Sequence, residues 1–118
     1  MAETLRKSMN SPDEVRTFGH GQVEIVNLEQ GAVGRATFQP GWRWSEHVKP
    51  IAKTDTCQAT HMYYVLSGHL RTRLQDGTEF DSQPGDVHYT PPGHDAWVVG
   101  DEPCVMIDWF GMGGFAKG

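Results

Sequence analysis

Four side chains in two parts of the chain could together hold a transition metal ion. His47, Cys57 and His61 precede the sequence YVLSG, and His94 follows the sequence PPG. Imidazole nitrogen and cysteine thiolate are suitable ligands for zinc, iron, copper or nickel. Three such ligands would leave one position open for water or a substrate. The residue types therefore predict a divalent transition metal of unspecified identity.

Each candidate ligand also has a purely structural interpretation. His47 and His61 could be core histidines satisfied by hydrogen bonds. Cys57 could pack as a small hydrophobic residue. His94 could be a loop residue that only covers one end of the domain. Cys57 and His61 share strand parity, but four residues along a straight strand cover about 13 Å, at roughly 3.3 Å each. Joint ligation therefore predicts a bend between them.

Aromatic residues near these positions could form the wall of a small-molecule pocket. Trp44, Tyr63 and Trp97 are the candidates for substrate binding, because such pockets are commonly aromatic with few polar groups. Aromatic side chains also dominate the core of small β domains, so a core role is the alternative for each of them.

The elements that must position these side chains are predicted to be short β-strands. Fourteen glycines and seven prolines punctuate 118 residues, as many tight turns require. Nine apolar or β-branched runs follow one another from Gln22 to Phe110, one of them the Trp-rich run GWRWSEHV. Asp76-Gly77 predicts a two-residue hairpin with positive φ at both residues. The expected division is an N-terminal arm over 1–17, one all-β domain over 18–111 and a flexible tail over 112–118.

Two segments, from Gly41 to Gly68 and from Gly85 to Trp97, resemble the paired motifs of the cupin family. Gly41 is followed after five residues by His47, and YVLSG closes the first motif at Gly68. Gly85 is followed after five residues by Pro91, which opens the second. The resemblance implies a double-stranded β-helix, or jelly-roll barrel, commonly with a divalent metal held inside by three histidines and a carboxylate.

The resemblance also shows where this chain departs from the family pattern. His61 stands where the family has its glutamate, and Cys57 stands where the family has its second histidine. Ala96 replaces the last histidine, while His94 precedes it by two residues. His94 has the same strand parity as position 96, so its side chain is predicted to point inward as a substitute ligand.

Charge and composition exclude several partners. The net charge is −5 and the ten Lys and Arg residues are scattered, so no basic surface for nucleic acid is expected. No apolar run approaches the roughly 20 residues of a membrane helix, and the first residues lack the apolar core of a signal peptide. We therefore expect a cytoplasmic protein with free thiols at Cys57 and Cys104. The run Val105 to Phe110 is apolar on nearly both parities, so it is either central in a sheet or part of a homodimer interface.

Three functions remain open at this point. The first is a metal-dependent enzyme of the dioxygenase, isomerase or decarboxylase type that acts on a small organic molecule. The second is a protein that binds a metal or small ligand without turnover. The third is a degenerate barrel with only a structural role, since one fold hosts many functions.

Overall fold

The computed structural model describes residues 4–110, 112 and 115–117. Its strands and helices occur in the following order: β1 (Glu14–Phe18), β2 (Gly21–Leu28), β3 (Gly31–Phe38), α1 (Trp44–His47), α2 (Lys49–Ala52), β4 (His61–Ser67), β5 (Leu70–Leu74), β6 (Glu79–Ser82), β7 (Val87–Thr90), β8 (His94–Val98) and β9 (Cys104–Asp108).

The strands form two antiparallel sheets around one core. The larger sheet has the order β1-β2-β3-β9-β4-β7, and the smaller has the order β6-β5-β8. The side chains that alternate toward the inside of each strand make up the core, with Val23 and Val65 fully buried in the larger sheet. The predicted all-β class and barrel architecture are confirmed.

Strand alternation decides which side chains face the interior. In β5, Leu70 and Thr72 are buried, whereas Arg71 and Arg73 are turned outward, as the alternating sequence predicts. β9 lies between β3 and β4, at the centre of the larger sheet. Central placement in a sheet is one of the two alternatives that its apolar composition left open.

Gly68 connects β4 to β5 where the chain passes against the start of β9. Its φ of +83° lies in the left-handed region, which glycine adopts without strain. A Cβ atom there would also collide with the backbone of Pro103 and Cys104. This position therefore requires glycine for two independent reasons.

The Trp-rich run predicted as a strand is helical instead. Its second half forms α1, and α2 follows directly after the run. Pro50 in the first turn of α2 is compatible with a helix start, where its missing N–H has no partner to lose. Asp95 of β8 accepts a hydrogen bond from the backbone N–H of Ser45 at 3.0 Å. A side chain from a distant strand thus accepts the hydrogen bond of a free backbone N–H in the first turn of α1. Local sequence patterns do not predict such a contact.

The N-terminal boundary differs from the sequence-based expectation. Residues 14–17 were expected in an arm, but together with Phe18 they form β1, which pairs with β2 from Glu14 opposite Ile25 to Phe18 opposite Gly21. Among the residues that the structure describes there are nine strands, as many as predicted, but only because β1 replaces the Trp-rich run.

The turn between β5 and β6 also differs from its prediction. The connection is four residues long, from 75 to 78, and only Gly77 has positive φ. Asp76 instead accepts a hydrogen bond on Oδ1 from the backbone N–H of Thr78 at 2.9 Å. The aspartate side chain stabilises this wider turn.

The predicted flexible tail spans 112–118, of which residues 113, 114 and 118 lie outside the described part of the chain. The side chains of Met112 and Phe115 are buried in the core. Phe115 contacts the rings of Phe18 and Phe38 at centroid distances of 6.0 and 6.2 Å. For these two tail residues the structure shows packing against the barrel.

Candidate metal centre

Cys57, His61 and His94 come together inside the barrel, and we call them the ligand cluster. One potential ligand atom from each lies within 4.8 Å of the others. All three side chains are buried. Their convergence brings two imidazoles and one thiol to a single point.

The backbone explains how Cys57 reaches His61. Residues 58–60 are irregular, and β4 begins only at His61, so the predicted bend is present. Cys57 is held across from His94 by hydrogen bonds from Cys57 N to His94 O at 2.8 Å and from Gly93 N to Cys57 O at 2.7 Å. The Sγ atom of Cys57 then lies 3.6 Å from Nε2 of His61.

Hydrogen bonds orient both imidazole rings of the ligand cluster. His61 Nδ1 lies 2.6 Å from Oδ2 of the buried Asp108. His94 Nδ1 lies 2.8 Å from the carbonyl oxygen of Pro91. Because a carbonyl and a carboxylate are both acceptors, each Nδ1 is the donor. This leaves Nε2 of both rings available for ligation, which is the arrangement typical of metal-binding histidines.

The local electrostatics favour the thiolate form of Cys57. Burial alone would raise the pKa of this thiol, but hydrogen bonds and charges from His61 and His94 outweigh burial and lower the pKa to about 6. Burial alone would lower the pKa of His61, but Asp108 and Cys57 raise it to about 9. A thiolate is the form of cysteine that binds metal.

A cavity of about 30 Å³ adjoins the ligand cluster. His61 and His94 line it together with Asp108, and the other lining residues are mostly apolar: Phe38, Trp42, Trp44, Tyr63, Leu70, Thr72, Thr90, Ala96, Met106, Met112 and Phe115. A cavity of this size holds about two water molecules.

Cys57 lines a second space, a groove of about 180 Å³. Trp44 and Phe115 line both the groove and the cavity. The ring of Phe115 packs edge-on to His61 at a centroid distance of 5.6 Å. The two aromatic side chains therefore separate the inner cavity from the groove that Cys57 faces.

His47 does not lie with the other predicted ligands. It is the last residue of α1, and its Nε2 lies 3.1 Å from Nδ1 of the exposed His20. Its Nδ1 accepts a hydrogen bond from the backbone N–H of Arg43 at 3.1 Å. Since the predicted strand is a helix here, the ring turns toward the β1–β2 turn and does not line the cavity.

The three predicted substrate-binding aromatics are divided by the structure. Trp44 and Tyr63 line the cavity, and the Tyr63 hydroxyl is 2.8 Å from Ser82 Oγ. Trp97 does not line it, because its ring lies beneath the guanidinium of Arg43 at 4.2 Å on the opposite face of β8 from His94.

Asp108 is the site residue that the sequence analysis missed. It is completely buried and stands at the end of β9 with the same parity as Cys104 and Met106. An aspartate in an otherwise apolar strand was the available signal, because a buried carboxylate needs a hydrogen-bonded partner. Phe115 gave no such signal, since its glycine-rich surroundings are typical of a loose segment.

Comparison with protein families gives a match to the cupin domain over residues 34–110. The chain belongs to the cupin family. Against the family motifs, the cavity shows the effect of Ala96: its short side chain lines the cavity, and His94 points into the same space from two residues earlier. The parity argument for His94 is therefore correct about its direction.

Solved structures with the same fold include three from bacteria. A Klebsiella pneumoniae protein with a double-stranded β-helix domain has a TM-score of 0.61 and 17% identity, covering 96% of this chain and 88% of that chain. A Lactobacillus farciminis oxalate decarboxylase in a formate complex has a TM-score of 0.59 and 21% identity, covering 83% and 30%. A variant of the Bacillus subtilis oxalate decarboxylase has a TM-score of 0.60 and 26% identity, covering 87% and 29%.

This cupin chain spans less than a third of either oxalate decarboxylase. Comparison with curated protein sequences gives no match. No helix among the described residues is long and apolar enough to cross a membrane. Cys57 and Cys104 are both free cysteines, as predicted.

Proposed function

We propose that this cupin binds one divalent transition metal ion through Cys57, His61 and His94 and holds a small molecule beside it. The observation that carries the proposal is the convergence of three buried ligand atoms within 4.8 Å. Two imidazoles and a thiolate fit zinc, iron, nickel or copper by their chemistry. His47 is left out because its ring bonds to His20.

The chain's own residues prepare this site in three ways. Asp108 holds a proton of His61 on Nδ1, so that Nε2 is the nitrogen that faces Cys57 and would bind the ion in place of its own proton. The lowered pKa of Cys57 supplies a thiolate near neutral pH. Phe115 covers the site from the groove side. A bound divalent ion would supply a Lewis acid at an open position toward the cavity.

We favour a function in ligand binding over an enzymatic function. Among the described residues that line the cavity, the only ionisable groups outside the ligand cluster are Asp108 and Tyr63. Both are engaged, Asp108 with His61 and Tyr63 with Ser82. A metal-dependent enzyme would need a group free to transfer a proton or a substrate that supplies its own.

Metal analysis of the purified protein tests the proposal. We expect about one metal ion per chain, because structural and catalytic sites of this donor type bind tightly. Cys57→Ser, His61→Ala and His94→Ala should each lose the ion. His47→Ala is the matched control and should keep it. Wild-type protein that stays metal-free after incubation with zinc, iron, nickel and copper would contradict the proposal.

A metal-free function is the second candidate, supported by the chain of contacts from Cys57 through His61 to Asp108. Cysteine, histidine and aspartate in this order form an activated nucleophile in other proteins. Alkylation in the presence of zinc separates the metal-binding function from the metal-free function. A nucleophilic Cys57 that binds no metal should react with iodoacetamide at full rate in protein incubated with excess zinc. A metal-bound thiolate should be protected.

We further propose that the protein is a homodimer in the cytoplasm. The outer face of β4, β7 and β9 carries exposed apolar side chains, including Tyr64, Leu66, Val87 and Tyr89. Tyr64 pairs with Val87 and with Ile107, so the strip is continuous across three strands. A contiguous apolar face of this kind is typical of an interface between subunits. Light scattering should give twice the mass of the chain, and Tyr64→Lys should restore the monomer mass.

A further inference from the structure

Among the described residues, the side chains that line the cavity beside the ligand cluster include an acidic group but no lysine or arginine. The acidic group is the carboxylate of Asp108. The Tyr63 hydroxyl lies 2.8 Å from Ser82 Oγ. The cavity therefore offers no cationic side chain to an anionic ligand.

The charges around a bound ion would already cancel. A divalent ion brings two positive charges, the Cys57 thiolate and the Asp108 carboxylate bring one negative charge each, and His61 and His94 bind as neutral imidazoles. An added carboxylate would leave one uncompensated negative charge in an apolar cavity. Burying such a charge without a partner is strongly unfavourable.

Two polar atoms at the cavity wall lack partners. Trp42 Nε1 and Thr90 Oγ1 are both buried and make no hydrogen bond among the described residues. Both residues line the cavity. The indole N–H needs an acceptor, and the threonine hydroxyl can donate or accept. A carbonyl or hydroxyl oxygen of a ligand could partner either of these groups.

We infer that the cavity selects a small uncharged molecule bearing a carbonyl or hydroxyl oxygen and rejects carboxylates of the same size. This inference rests on the proposed metal site. The volume of about 30 Å³ restricts the ligand to a few non-hydrogen atoms, since it equals about two water molecules.

A matched pair of probes tests the charge selection. Formamide and formate have the same shape, and they differ by one unit of charge. Each is titrated into the cobalt-substituted protein, in which the near-ultraviolet charge-transfer band reports thiolate ligation and the visible ligand-field bands report changes at the open position. We expect formamide to bind at least about tenfold more tightly than formate, because only formate adds a buried charge. Equal or tighter binding of formate would overturn the inference.

Two substitutions separate charge from hydrogen bonding. Asp108→Asn removes one negative charge, so the preference for formamide over formate should fall by about tenfold or more. Thr90→Val removes the unpartnered hydroxyl and keeps the shape, so it should weaken formamide binding without changing the cobalt spectrum. Thr78→Val, on the exposed β5–β6 turn, is the control and should change neither. If Thr90→Val protein binds formamide as tightly as the wild type, the Thr90 hydroxyl does not contact the ligand, and this part of the inference is overturned.

The failure of the metal site is distinguishable from the failure of the selection. Absence of the thiolate-to-cobalt absorption in wild-type protein would overturn both proposals. Normal cobalt absorption with a preference for formate would leave the metal site standing and overturn only the selection for uncharged ligands.

Discussion

His61 Nδ1 and Asp108 Oδ2 are 2.6 Å apart in the buried core. The second oxygen of Asp108 accepts a hydrogen bond from the backbone N–H of Phe110 at 2.8 Å. The carboxylate is thus held by the end of β9, and it holds the His61 ring in turn. Through this contact the larger sheet determines which nitrogen of His61 faces Cys57.

Asp108→Asn should weaken metal binding because an amide holds the His61 ring less firmly and lowers its basicity. Loss of such a supporting carboxylate typically reduces metal affinity by about 10- to 100-fold. Competition with a chromophoric chelator measures the change. Asp101→Asn, on an exposed loop, is the control, and an affinity equal to wild type in Asp108→Asn would contradict the orienting role.

In metal-free protein, the Cys57 thiol should titrate with a pKa near 6 instead of 9. The ultraviolet absorbance of the thiolate follows this step directly, and Cys57→Ser should abolish it. His61→Gln should move the step to higher pH, since a neutral amide does not stabilise the thiolate. A single thiolate step near pH 9 in the wild type would contradict an ion pair between the Cys57 thiolate and the His61 imidazolium.

The same ion pair should leave the free energy of unfolding nearly independent of pH between 6.5 and 9. Taken alone, the lowered pKa of Cys57 gives stability that is lost as pH falls from 9 to about 6. Taken alone, the raised pKa of His61 gives stability that is lost as pH rises from 6.5 to about 9. Between those limits the folded pair and the unfolded pair each bind one proton, so the two slopes cancel. Urea denaturation across this range checks the result in Cys104→Ala protein.

Cys104 should cause a loss of stability in alkali. Burial raises the pKa of its thiol from 9.0 to about 12, so the unfolded chain releases this proton at lower pH than the folded chain. The contribution is complete below pH 9 and falls by about 1.4 kcal/mol per pH unit above it. Urea denaturation of wild type and Cys104→Ala should show a shallower alkaline decline in the variant, and parallel declines would disagree with this prediction.

Phe115→Ala should expose Cys57 to reagents from the groove. Phe115 is 5% exposed and lines the groove beside Cys57, so removal of its ring would widen the groove at this thiol. In metal-free Cys104→Ala protein, alkylation of Cys57 by iodoacetamide should accelerate by about tenfold or more, since access limits the rate of buried thiols. Phe110→Ala is the matched control, because Phe110 is 50% exposed. Equal rates in all three proteins would show that Phe115 does not limit access.

The residue pattern was sufficient for the fold and for part of the site. Alternation is a local property, so the inward and outward faces of β5 follow from the sequence. For β9 the sequence left a central strand and a dimer interface both open, and the sheet order decided for the central strand. His94 was also placed correctly, because strand parity fixes the side of a sheet that a residue faces. The bend that lets Cys57 approach His61 followed from the length of an extended chain.

Tertiary contacts decided the rest. The segment ending at His47 has a strand-like composition, but Asp95 satisfies the first turn of α1 and turns His47 toward His20. Asp108 meets His61 across 47 positions of the sequence. Sequence spacing carries no information about such pairs, because the energy of a buried ion pair depends on which strands the folded barrel places side by side.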